Sequence, residues 1–103
     1  MAEDAIIKYK MLAIGGSAGS LDVILKIVAA LPFISHLATV IIVHRKNDGE
    51  SILTDLLSSR TKLVVKEIED QLFLIYTKDL PKQLTYEELM ERPRLLKRNY
   101  FDF

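Results

Sequence analysis

Ser17 and His44 are the residues of this sequence best suited to chemistry. Ser17 lies in Gly15-Gly16-Ser17-Ala18-Gly19, which fits the spacing Gly-x-Ser-x-Gly. In that pattern flanking glycines let a strand turn sharply into a helix and hold the serine hydroxyl clear of the backbone. The N–H groups of Ala18 and Gly19, with the start of a helix behind them, are candidates to hold an oxyanion or contact a substrate. A serine so placed is a nucleophile only when a base accepts its proton. His44 closes the next apolar run and is the imidazole for that role.

Two other uses compete for the same glycines. One is a turn of small residues that only lets a strand and a helix pack. The other is a phosphate cradle, which the spacing disfavours. Counting from Gly15, the fingerprint Gly-x-Gly-x-x-Gly meets Ser17 and Ser20, and no lysine follows the loop. The second apolar run also ends in His44 rather than in an acid that would bind a ribose. His36 precedes that run, at the opposite edge of any sheet built from it, and reads as structural or exposed. Two histidines with scattered carboxylates form no metal-ligand spacing, so neither a metal nor another cofactor is assigned.

The elements that must position these residues are visible as changes of periodicity. Leu12 to Ile14 reads as a strand covered on both faces and ended by Gly15 and Gly16. Ser20 is a candidate N-cap, with Asp22 in the first turn, and Leu21, Ile24, Leu25, Val28 and Ala29 predict a helix over about Leu21 to Ala30, stopped at Leu31-Pro32. Ala38 to Val43 is unbroken and mostly β-branched, as a buried central strand requires. Arg45 to Gly49 reads as loop, and Ile52, Leu53, Leu56 and Leu57 mark one face of a helix within Glu50 to Arg60. Lys62 to Ile68 reads as a third strand closed by Glu69-Asp70. Strands alternating with helices predict a small, open, mostly parallel sheet of three to four strands in three α/β/α layers. Parallel strands end on one edge, so Ser17, His44 and Asp70 are expected to share it.

After Asp70 the pattern changes. Leu72 to Tyr76 is a candidate fourth strand, and Lys78 to Lys82 a turn around Pro81. Thr85 and Glu88 form a capping box for a helix over about 85–98, ended or kinked at Pro93. Arg92, Arg94, Lys97 and Arg98 precede the aromatic end Tyr100, Phe101 and Phe103. The plain reading of this region is a solvated terminal helix with a frayed end; the alternative is a docking surface. The expected organisation is one domain over 1–103, with a core at 9–70 and a divergent tail at 71–103.

Composition narrows the function classes. The 14 basic and 14 acidic residues balance, so there is no electrostatic footprint for nucleic acid or for a membrane surface. The start Met-Ala-Glu-Asp lacks the positive charge of a secretory signal, and no apolar run approaches the roughly 20 residues of a membrane span. With no cysteine in 103 residues there is no disulfide or thiolate site, and a cytoplasmic location is expected. A chain this short buries only about two thirds of its unfolded surface. A sheet of few strands leaves edges exposed, so self-association is expected.

The run Ile14-Gly15-Gly16-Ser17-Ala18-Gly19-Ser20, the helix end Leu31-Pro32, the run Val40 to His44 and the segment Val65 to Asp70 together resemble the first part of the CheB-type protein-glutamate methylesterase domain, over about residues 9–70. The resemblance implies a Rossmann-like fold, here truncated, and hydrolysis of glutamate methyl esters on bacterial chemoreceptors, without a cofactor. It implies Ser17 as nucleophile and His44 as general base, with a methylated chemoreceptor as partner. Ala18 stands where many members have Thr, and Ser20 where they have a second Gly. Arg45 and Lys46 replace a common Met-Pro and could face an acidic receptor segment. The family's third triad residue, an aspartate in a late Asp-Gly-Ala context, has no counterpart, and Ile75-Tyr76 is at best a remnant of the family's continuation. Asp70 is the local acid that could stand in for it. The alternative function is a non-catalytic module, derived from the same domain, that binds a receptor or signalling protein.

Overall fold

A computed structural model describes residues 9–44 and 52–100. Its strands are β1 (Lys10–Ser17), β2 (Leu37–His44), β3 (Val64–Glu69) and β4 (Leu72–Tyr76), and its helices α1 (Leu21–Ala29), α2 (Ile52–Ser58) and α3 (Tyr86–Tyr100). The strands form one sheet in the order β1-β2-β4-β3. Alternation along β2 and β4 sorts their side chains to its two faces. Ile41, Val43, Phe73 and Ile75 pack under Ile24, Leu25 and Val28 of α1 and Leu53 and Leu57 of α2. Ala38, Val40, Ile42, Leu72, Leu74 and Tyr76 pack with Leu89 and Met90 of α3 on the other face. The three-layer α/β/α arrangement follows from covering both faces of these two central strands.

The expectation of a mostly parallel sheet holds for direction but not for pairing. β1, β2 and β3 run the same way, yet β4 lies between β2 and β3 and is antiparallel to both, so β1–β2 is the parallel pair. The cause is the connection. Only Asp70 and Gln71 separate β3 from β4, and parallel pairing needs a crossover of about a dozen residues. Gln71 makes the reversal with φ 68, in the left-handed region. All five residues of β4 are buried, which is why it takes an interior place in the sheet.

β1 also departs from its expected form. It does not end at the glycines: Gly15 pairs with Ile42 and Gly16 with Val43, and the strand runs on to Ser17. Nor is it covered on both sides. It is an edge strand, and Leu12 remains 43% exposed. Ser20 occupies the N-cap position of α1 but makes no side-chain cap bond. The chain enters the helix through a 3₁₀ turn, Ala18–Ser20, which leaves Ser20 at φ −93, ψ 5, away from the extended backbone that aims a capping oxygen at the next amides. At the other end of α1, the Ala30 N–H donates to the Ile27 carbonyl at 3.0 Å and the Leu31 N–H to the Val28 carbonyl at 3.2 Å.

Helix α3 opens on the expected capping box. The Glu88 N–H donates to Thr85 Oγ1 at 3.1 Å and the Thr85 N–H to Glu88 Oε1 at 3.1 Å. Pro93 does not end it; the helix continues to Tyr100. Proline forfeits one helical hydrogen bond, but burial of Leu89, Met90 and Pro93 itself holds the segment on the sheet. The picture of a solvated, frayed terminal helix is thereby replaced by a docked layer. The expected loop Arg45–Gly49, the start of the second predicted helix at Glu50, and Phe101 and Phe103 lie outside the described residues.

Candidate active edge

The carboxyl ends of β1 and β2 bring the two candidate residues side by side. Ser17 is the last residue of β1, His44 the last of β2, and they are register partners across the parallel pair. Their Cα atoms are therefore about 4.8 Å apart, the spacing of adjacent strands. Ser17 is exposed, and the 3₁₀ turn that follows carries Ala18 and Gly19 past it.

Two glycines shape this corner. A Cβ built on Gly19 would come to 3.7 Å from Ser17 Oγ, so glycine there keeps one side of the hydroxyl clear. A Cβ on Gly16 would meet Ser20 Cβ at 3.1 Å, Ser20 Oγ at 3.3 Å and Ile24 Cδ1 at 3.4 Å. Gly16 thus sets how closely α1 lies against β1, and with it where the helix start stands behind Ser17.

Asp70 reaches the same edge by a different route. β3 runs parallel in direction to β1 and β2, so the β3–β4 turn lies with their carboxyl ends. The turn is bonded into β2 directly beside the candidate base: the Val43 N–H donates to the Gln71 carbonyl at 3.1 Å, one residue before His44. Helix α3 braces it from outside. Lys97 Nζ donates to the Asp70 carbonyl at 2.8 Å and pairs with Glu69 Oε1 at 3.3 Å, while Arg94 Nε lies 3.4 Å from Glu69 Oε2. Each contact is partly exposed and individually weak, but together they tie α3 to the turn.

The topology therefore brings Ser17, His44 and Asp70 to one edge and leaves His36 at the other, where its carbonyl accepts from the Lys10 N–H at 2.7 Å. Arg45 and Lys46 lie outside the described residues. Among the described residues no group of three or more His, Asp or Glu side chains converges as a metal site, and no helix is long and apolar enough to cross a membrane. Gln71, Arg94 and Lys97 were not legible as parts of this edge. The available signal was the spacing of Arg94 and Lys97 on one helical face, opposite in charge to Glu69-Asp70.

Two family models match overlapping parts of the chain. The family model described as "YokU-like protein, putative antitoxin" matches residues 54–101, a span that holds the β3–β4 hairpin and α3. A curated relative, "Uncharacterized protein YokU" of Bacillus subtilis (strain 168), is 74% identical over 39 residues, 38% of this chain. The match spans 42% of that relative's length. No solved structure matches the chain. The model of the CheB methylesterase family matches residues 12–76, which include Ser17, His44, Asp70 and all but the first two residues of β1. That match covers more than half of the 103 residues, and on it the chain belongs to the CheB methylesterase family.

Proposed function

We propose that the carboxyl edge of β1 and β2 is an ester-hydrolase site of the protein-glutamate methylesterase type. The observation that carries this reading is the register pairing of Ser17 with His44, in a chain of this family. Ser17 Oγ attacks the methyl-ester carbonyl while His44 accepts its proton. The tetrahedral oxyanion collapses, and methanol leaves with the proton that His44 returns. Water, deprotonated by His44, then attacks the acyl-enzyme and frees the glutamate carboxylate and Ser17. Asp70 takes the part of the orienting acid, a role worth on the order of 10⁴ in rate in the serine-protease template.

The substrate is a methylated chemoreceptor, and the assay is release of methanol from it. The parent chain releases methanol, Ser17→Ala reduces release to background, and Asp70→Asn lowers it well below the parent. Equal release by Ser17→Ala overturns the site; unchanged release by Asp70→Asn removes Asp70 from it.

A second reading draws on the other family match, described as "YokU-like protein, putative antitoxin". In this reading the chain is a non-catalytic binding module for a receptor or signalling protein. A groove of about 300 Å³ between Tyr9 and α3, lined by Leu84 and Leu95 together with Arg92 and the acidic Glu87, Glu88 and Glu91, offers it a surface. Receptor binding that survives Ser17→Ala, with no methanol released by the parent, selects this reading over the first.

A further inference from the structure

The two edges of the sheet are not alike. β3 carries Lys66, Glu67 and Glu69 and a register irregularity between Glu67 and Glu69, the devices that discourage edge-to-edge pairing. β1 has none of them from Met11 to Ser17: no charge, no proline and no irregularity in its register with β2. Its one charged residue, Lys10, stands at the very start. An eight-residue edge so little protected is a template for another strand.

We propose that β1 pairs antiparallel with β1 of a second copy of this chain, joining two four-stranded sheets into one. The backbone restricts the register. Because the Lys10 N–H donates to the His36 carbonyl of β2, alternation turns the amides of Leu12, Ile14 and Gly16 inward and those of Met11, Ala13, Gly15 and Ser17 outward. A two-fold pairing that uses all four outward residues sets Met11 opposite Ser17, Leu12 opposite Gly16 and Ala13 opposite Gly15, with the axis at Ile14. This makes about eight ladder hydrogen bonds.

Side chains and charges suit that register. Leu12, 43% exposed, meets a glycine. Lys10 shares the sheet face of Leu12 and Gly16, the face on which α1 lies. The antiparallel arrangement brings Lys10 of each copy to the end of the other where α1 begins, with Asp22 in its first turn. The two Lys10 residues stay at opposite ends. Each copy also contributes to the other's site, since Met11 of one chain engages the backbone of Ser17 in its partner.

Sedimentation velocity on the full chain, with hydrogen exchange read at the outward amides, tests the pairing. The parent is expected to sediment as a dimer, with the amides of Met11, Ala13, Gly15 and Ser17 protected. Ala13→Pro removes an outward donor that β2 does not use, and it is expected to sediment as a monomer with unchanged circular dichroism. Lys10→Asp weakens the dimer roughly tenfold, and adding Asp22→Lys restores it. Should Ala13→Pro fail to fold, the charge pair and the exchange pattern still decide. A parent that is monomeric throughout, a dimer that Ala13→Pro leaves intact, or protection confined to the α3 groove overturns the proposal.

Discussion

Leu74→Ala tests the central claim of the architecture, that β4 is the interior of the sheet. Leu74 is fully buried, pairs with Val40 on one side and Lys66 on the other, and belongs to the cluster shared with α3. Truncation removes about three carbon groups at roughly 0.8 kcal/mol each. That is about 2.4 kcal/mol before any residual cavity is counted, and measured Leu→Ala losses of roughly 2–5 kcal/mol include that cavity. A loss of about 3 kcal/mol is the expected value. It is a large share of the roughly 5–15 kcal/mol that holds a domain of this size together. With a urea m-value of about 2 kcal/mol/M the unfolding midpoint falls by about 1.5 M. Leu95→Ala is the control: Leu95 lies on α3 with 41% of its surface exposed, so its loss stays below about 1 kcal/mol. Equilibrium urea unfolding of both variants beside the parent measures the difference. A loss below about 1 kcal/mol for Leu74→Ala, or one equal to that of Leu95→Ala, refutes the interior placement of β4.

Two further predictions concern the corner behind Ser17 and the base of α3. Gly16→Ala places a Cβ 3.1 Å from Ser20 Cβ; overpacking of about 1–3 kcal/mol outweighs an unfolded-state gain of about 0.4–1 kcal/mol, so the variant is less stable, and Ser20→Gly added to it recovers part of the loss. Urea unfolding that finds Gly16→Ala as stable as the parent contradicts the close approach of α1. Burial lifts the Tyr9 phenol above its ordinary 10.0, against the lowering effect of Arg92 and with a smaller rise from Glu88; burial, then Tyr86, lifts that of Tyr76. The fold therefore favours both neutral phenols. Their contribution is whole below pH 10.0 and is lost as pH rises through the folded values. Thermal melts followed upward through that range should fall steeply for the parent and less so for Tyr9→Phe. That variant also removes a buried hydroxyl with no hydrogen-bond partner among the described residues, so it should match or exceed the parent at neutral pH. An alkaline profile unchanged by the substitution defeats the assignment.

The change of character after Asp70 had a structural meaning that residue patterns alone do not state. Before it lies a parallel strand–helix–strand unit; after it, a hairpin partner and a helix that cover the opposite face. The two family matches overlap over residues 54–76, the segment where β4 enters the sheet. What reads as a divergent tail supplies an interior strand and, through Arg94 and Lys97, the brace on the turn that carries Asp70. The same brace explains why the helix survives Pro93: contacts on both sides of the proline outweigh one missing amide bond.

Features fixed by neighbours within a turn or two were written plainly in the chain. The three-and-four spacing of Leu21, Ile24, Leu25 and Val28 yields α1, the unbroken run Ala38 to Val43 yields a buried strand, and Thr85 with Glu88 yields a capping box. Ser17 and His44 at the ends of successive strands followed from the same local signals. Choices among distant partners were not written there. The place of β4 between β2 and β3, the exposed edge of β1, the entry into α1 without a Ser20 cap, and the register that sets Ser17 beside His44 all depend on which segments compete for the same hydrogen-bonding edge and the same apolar face. Local propensity acts over a few residues and sums along the chain, whereas strand order is decided only when the whole set of faces is buried at once.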